Sequence, residues 1–216
     1  EEDDDGFVRQ CRDDEIGLLL GRPSGEGEAT SNIMRGVFEP ADAWIPTENL
    51  FRRDSDGDYW LIDRKDTVVR SACGPVYTQP IVDAVGDLDQ VDSAVVYGVH
   101  VTLDRPRSVR VDAAAPEVAV CAISLQPEAV ITARALTDAL GVLLPAERPA
   151  IVHVVSEIPV GRAYRPNGKA LKEAGIPTPS ARSWFYDSES NSYRRLTKAV
   201  VAERFIGRVG SAETSS

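Results

Sequence analysis

The sequence predicts an α+β fold: a small β-rich remnant, then a domain with a three-stranded sheet covered by helices. Three observations carry this. Arg52–Ile62 reads as a strand, an Asp56-Gly57 turn and a second strand of aromatic and β-branched residues, which is a hairpin pattern. Apolar blocks at Val91–Val101, Glu117–Leu125 and Ile151–Val155 alternate with segments of helical spacing, as in a sheet with helices packed on it. Between the two regions stands a polar tetrapeptide, Asp63-Arg64-Lys65-Asp66, where a hinge or a plain linker would lie.

In chain order, Glu1–Asp5 is a solvated acidic run, and Glu15–Gly21 is a short apolar strand bounded by glycine. Arg22–Thr30, rich in Gly, Pro, Ser and Glu, reads as a loop. Val37-Phe38 and Trp44-Ile45 add apolar surface to a small sheet ahead of the hairpin. After the tetrapeptide, Val68-Val69 is a brief strand and Cys73-Gly74-Pro75 turns the chain. Pro80 then stands in the first turn of a helix whose apolar positions are Ile81, Val82, Val85 and Leu88. Arg105–Pro116 is a polar loop between the first two long strands. Thr132 caps a helix expected to run to about Leu144 through Leu136, Leu140 and Leu143. Gly168–Ala174 is a short helix stopped by Gly175. Trp184–Asp187 and Ser192–Leu196 form a late hairpin, and Thr197 starts a last helix to about Ile206. No internal repeat is present.

Composition narrows function. Hydrophobic residues make up 43% and charged residues 27%, ordinary for a folded chain of 216 residues. With 24 Lys+Arg against 34 Asp+Glu the net charge is −10, which argues against broad nucleic-acid or anionic-membrane binding. No apolar run approaches the ~18 residues of a transmembrane helix. Cys11, Cys73 and Cys121 have neither disulfide nor metal spacing, and His100 and His153 form no ligand pair, so no metal site is expected. Cys73 reads as a buried or half-buried thiol without a catalytic base. A reducing, cytoplasmic setting suits these cysteines. The start at Glu1 without methionine suggests a piece of a longer protein.

The order of these pieces resembles the C-terminal third of the adenylate-forming enzymes, in the branch of very-long-chain acyl-CoA synthetases and fatty-acid transport proteins. The matching residues begin with Glu15-Ile16-Gly17-Leu18-Leu19, Ala29-Thr30-Ser31, Val37-Phe38, Asp56-Gly57-Asp58-Tyr59 and Asp63-Arg64. They continue with Val95-Val96-Tyr97-Gly98-Val99, Ile158-Pro159, Ala170-Leu171-Lys172-Glu173-Ala174-Gly175-Ile176 and Tyr193-Arg194-Arg195-Leu196-Thr197. No single piece is specific; their order and spacing are. The resemblance implies residues 1–62 as the end of a large adenylation domain, 63–67 as a hinge and 68–216 as a mobile C-terminal lid domain. It implies ATP, Mg2+ and CoA as cofactors of the full-length protein. The partners implied are a fatty-acid substrate, CoA and the protein's own N-terminal domain. Membrane association would come through regions outside this chain.

The resemblance also assigns residues. The position that holds the ribose hydroxyls falls on Asn49 in Thr47-Glu48-Asn49, an amide where the family has a carboxylate. Arg64 falls on a ribose- and hinge-proximal arginine; its alternative is a surface cation pairing with Asp63 or Asp66. Asp66 falls on the hinge position or is a turn aspartate. Gly74, in Ala72-Cys73-Gly74-Pro75-Val76-Tyr77, is the glycine left of the thioester-forming motif, whose acidic residue is gone. The catalytic lysine's position lands on Arg165, counted from Pro159, with Lys169 in Asn167-Gly168-Lys169 as the rival. Arginine keeps the charge but is a planar fork rather than a compact ammonium. Both cations could instead be surface residues flanking a short helix.

These departures leave two readings. One is a C-terminal fragment of an ATP-dependent fatty-acyl-CoA synthetase that joins carboxylate to AMP, then transfers the acyl group to CoA, and is inactive as an isolated piece. The other is a catalytically impaired homologue acting as an acyl- or CoA-binding or protein-interaction module. A generic α+β interaction module with chance similarity is a third.

Overall fold

The computed structural model describes residues 6–23, 32–101, 116–161 and 166–205. Arg165, Thr30, Ser31, the acidic start, nearly all of the Arg105–Pro116 loop and the end of the last helix at Ile206 lie outside them. The chain groups into two compact units, Glu1–Thr67 and Val68–Ser216.

The first unit is a four-stranded antiparallel sheet of β1 (Ile16–Gly21), β2 (Met34–Arg35), β3 (Ala43–Arg53) and β4 (Tyr59–Arg64), with β3 pairing all three others. The Asp-Gly hairpin forms between β3 and β4. Its turn is closed by Asp54, whose carboxylate accepts from Asp58 N at 2.9 Å and Trp60 Nε1 at 2.7 Å, while Gly57 takes a φ of 90°. β3 is one strand where two short pieces were expected. It runs through Pro46, which has no N–H to give, because the β1–β3 register shifts between Leu18 and Leu20 at that point. Ahead of β3, Asp42 gathers the N–H groups of Val37, Phe38 and Glu39 at 2.7, 2.7 and 3.0 Å.

The second unit begins with a small hairpin, β5 (Val69–Ser71) and β6 (Gly74–Val76). Then follow α1 (Thr78–Gly86), β7 (Val91–His100), β8 (Glu117–Leu125), α2 (Ala133–Leu140) and β9 (Ile151–Val154). α3 (Lys169–Ala174), β10 (Ser183–Asp187), β11 (Ser192–Arg195) and α4 (Lys198–Arg204) complete the described residues. The three expected strands are adjacent, β7 antiparallel to β8 and β8 parallel to β9. The late hairpin docks on β9 through β10, so the sheet has five strands in the order β11-β10-β9-β8-β7. One face carries Ile81 and Val85 of α1 and Leu136 and Leu140 of α2 against Val96, Cys121 and Trp184. The other carries Val201 of α4, with Phe205 just after it, and Leu171 of α3 against Tyr97, Val120 and Phe185. Each fully buried aliphatic side chain contributes about 2 kcal/mol relative to exposure, so the sheet faces hold the helices in place.

Both expected threonine caps are present, Thr132 Oγ1 accepting from Ala135 N at 3.2 Å and Thr197 Oγ1 from Val200 N at 3.3 Å. α2 stops at Leu140, short of the expected Leu144, because Gly141 follows as its C-cap. Gly141 N and Leu143 N donate three residues back, to Asp138 O and Leu140 O at 3.3 and 3.2 Å, and the carbonyls of Gly141 and Leu143 accept from the Arg148 guanidinium at 3.2 and 3.0 Å. Cys73 is exposed rather than half-buried, since the two-residue turn between β5 and β6 lifts it off the sheet.

Candidate functional site

The first unit brings Asn49 and Arg64 together as direct cross-strand partners on β3 and β4. Glu48 just before Asn49 has a φ of 61°, a left-handed conformation unusual for a non-glycine residue. The kink is held by Lys65 N donating to Glu48 O at 2.9 Å and by Asn49 N donating to Thr47 Oγ1 at 3.3 Å. Thr47 Oγ1 in turn donates to Leu19 O at 2.9 Å. Asn49 is half-buried and thus held at a bulge beside Arg64.

Arg64 makes a two-pronged contact with Asp66, Nε to Oδ1 at 2.9 Å and Nη2 to Oδ2 at 3.2 Å. The hydrogen bond and charge of Asp66 raise the Arg64 pKa, and the reciprocal hydrogen bond lowers that of Asp66. Side-chain exposures of 49% and 65% make this a screened pair, open to exchange for another anion. The buried Asp63 accepts from Arg64 N at 2.7 Å and from Thr67 Oγ1, and Thr67 N donates to Arg64 O at 3.1 Å. Residues 63–67 therefore form a tight turn organised by one carboxylate.

In the second unit, Gly74 opens β6 with a φ of 125°, which side chains rarely adopt. Its carbonyl accepts from Ser71 Oγ at 2.6 Å, closing the hairpin around Ala72 and Cys73. Lys169 is the first residue of α3 and is exposed; its N–H donates to Asn167 Oδ1 at 3.0 Å. The arms of the preceding loop are joined by a bridge between Val160 and Pro166 and by Asn167 N donating to Pro159 O at 2.8 Å. Arg165, one residue before Pro166 in sequence, is outside the described residues. Gly168 lets α3 lie close on the sheet: a Cβ there would stand 3.1 Å from Val95 Cγ2 and 3.5 Å from Tyr97 Cδ1.

The sequence reading missed the residue that links these segments. Glu117, at the start of β8, is 9% exposed at its side chain. Oε1 accepts from Lys172 Nζ of α3 at 2.9 Å, and Oε2 from Arg70 N of β5 at 3.1 Å. His100 Nε2 is 3.8 Å from Oε1. Burial pushes the Glu117 carboxyl up, but the Lys172 and Arg70 hydrogen bonds and the nearby positive charge outweigh it and hold it below the usual range. Gly98 on β7 makes the space, since a Cβ there would be 2.6 Å from Glu117 Cδ. A glycine in a buried strand is the one signal that could have pointed here.

Below α3, Tyr97 and His153 form a buried pair, Oη to Nε2 at 3.0 Å. Burial pulls His153 down to about 4 and raises Tyr97. Among the described residues no group of three or more His, Cys, Asp or Glu could hold a metal ion, and no helix is long and apolar enough to cross a membrane.

No family model matches the chain. In sequence it is similar to a very long-chain fatty acid transport protein of Cochliobolus heterostrophus, 29% identical over 111 residues, covering 46% of this chain and 17% of that protein. It is also similar to long-chain fatty acid transport protein 6 of Homo sapiens, 22% identical with 94% of this chain and 33% of that protein covered. In fold it is similar to the amide bond synthetase McbA of Marinactinospora thermotolerans, with a TM-score of 0.59 and 21% identity over 80% of this chain and 33% of that one. The o-succinylbenzoate CoA synthetase of Bacillus subtilis, solved with its acyl-adenylate intermediate, gives 0.57 and 18% over 79% and 34%. These two likenesses establish the α+β fold. The chain spans a third or less of the transport proteins it matches.

Proposed function

We propose that this chain is the C-terminal part of an ATP-dependent fatty-acyl-CoA synthetase, residues 1–62 closing its large domain, 63–67 its hinge and 68–216 its lid. The observation that carries the reading is the alignment of 94% of the chain with a fatty acid transport protein, on a fold shared with a CoA synthetase. The same Bacillus protein has been solved with ATP and magnesium ion, which supports ATP and Mg2+ here; CoA follows from the ligase reading alone.

Joining a carboxylate to the α-phosphate develops negative charge between two anionic groups, and a fixed cation in a water-poor site lowers that barrier. Arg165 is the favoured cation and Lys169 its rival. Asn49 would take the ribose hydroxyls through its amide, with the exposed Arg64 exchanging Asp66 for the nucleotide. An amide fits hydroxyl groups but lacks a carboxylate's charged acceptors, so capture is expected to be weaker. The hairpin at Gly74 would serve the second step, in which the CoA thiol displaces AMP from the acyl group. Free cysteines suit a reducing, cytoplasmic setting.

The full-length protein should exchange labelled pyrophosphate into ATP in the presence of long-chain fatty acids, and Arg165→Ala should lower that rate by at least 100-fold. The chain alone should show no turnover, because this reading assigns the acyl and nucleotide pockets to the rest of the protein. An inactive full-length protein whose activity appears with Asn49→Asp and Arg165→Lys would instead establish the impaired binding homologue. The Arg64–Asp66 pair and the amide at Asn49 are the observations that favour this second reading.

A further inference from the structure

We propose that Glu117 is a positioning residue, a single carboxylate that fixes the β5–β6 hairpin and α3 in one relation to each other. Apolar anchoring of the two segments comes from a few side chains, Val69 and Val76 of the hairpin in one core and Leu171 of α3 on the other sheet face. α3 has six residues, none fully buried, well short of the length at which a helix persists unaided. The β5–β6 hairpin has three residues a side, and Arg70 is paired there with Pro75, which offers no N–H. Each segment gives one donor to Glu117, Lys172 Nζ to one oxygen and Arg70 N to the other. Because both acceptors belong to one carboxylate, a shift of Glu117 that follows one donor carries the other acceptor with it. Gly98 shows that the sheet is built around this carboxylate, since any larger residue there would occupy its place.

The consequence is coupling. The hairpin carries Gly74, and α3 carries Lys169 one turn before Lys172, so Glu117 sets the geometry between two segments assigned to different steps. This functional half rests on the acyl-activation reading; the structural half does not. A charged carboxylate also suits both donors better than a neutral group, since hydrogen bonds to an ionised acceptor are the stronger kind.

Amide hydrogen exchange on the 216-residue chain tests the pin directly. Glu117→Ala should speed exchange at least tenfold both at Arg70 and across Lys169–Ala174, while Cys121 in the sheet centre stays within twofold. Glu117→Gln keeps an acceptor for Arg70 and should release only α3. Lys172→Met, at an exposed site that leaves the fold intact, should do the same. Unchanged exchange in both segments with Glu117→Ala overturns the proposal. So does an equal acceleration at Cys121, which would make Glu117 a general stability residue. If Glu117→Ala fails to fold, Lys172→Met decides: α3 exchange within twofold of wild type refutes the pin. In the full-length enzyme Glu117→Ala should slow both half-reactions at least tenfold. An inactive wild type would defeat the acyl-activation reading while the exchange result still judged the pin.

Discussion

His153 shows how burial alone turns one residue into a pH sensor of stability. Its imidazole hydrogen-bonds Tyr97, and burial holds it neutral down to about pH 4. In the unfolded chain it titrates near 6.5. Between those values the unfolded state binds a proton that the folded state refuses, so stability is full above pH 6.5 and falls as pH drops toward 4. Between pH 7 and pH 5 the wild type should lose about 2 kcal/mol more than His153→Gln in urea unfolding. Equal slopes would show that the ring is not held neutral. Neither this pair nor the Glu117 site was legible in the sequence. Tyr97 and His153 meet across the sheet over Ala122, and Glu117 finds Lys172 and Arg70 through tertiary packing that no local spacing encodes. Asn49 and Arg64 were named separately, and only strand pairing makes them neighbours.

At the scale of elements, the local signals that worked are those whose physics is local. The Asp-Gly turn and the threonine caps satisfy their own neighbours' N–H groups, so position alone reveals them. Thr132→Ala removes the acceptor for Ala135 N and should cost about 1 kcal/mol, read as a lower unfolding midpoint; no change would mean that water caps α2 equally well. The errors came where a remote partner decides. Leu143 continues the helical apolar spacing, yet Gly141 N and Leu143 N donate only three residues back, to Asp138 O and Leu140 O, so the α-helical pattern ends, and Arg148 binds the carbonyls beyond it. Pro46 looks like a strand breaker and is carried by a register shift against β1. The late hairpin was recognised, but its docking on β9, which enlarges the sheet, depends on pairing Phe185 with Ile151.

For the whole molecule, the two units differ in how completely each buries its own apolar surface. Among the described residues of the first, Val37 is the one buried hydrophobic side chain, while Tyr59, Trp60 and Leu61 are 58%, 52% and 53% exposed. A segment of that size with so little interior cannot offset its chain entropy. The second unit covers both faces of its sheet, and Ile81, Ile123, Leu136, Leu140 and Ile151 are fully buried. Residues 68–216 expressed alone should therefore unfold in a single cooperative transition, with a midpoint within a few degrees of the main transition of the 216-residue chain. Residues 1–67 alone should give no cooperative transition in calorimetry or circular dichroism, and their exposed aromatic strand should promote association. A sharp transition in 1–67 would mean that the half-buried contacts around Trp44 and Asp42 suffice. That outcome would count against the proposed assignment of this unit to a larger domain, because a self-sufficient sheet needs no such neighbour.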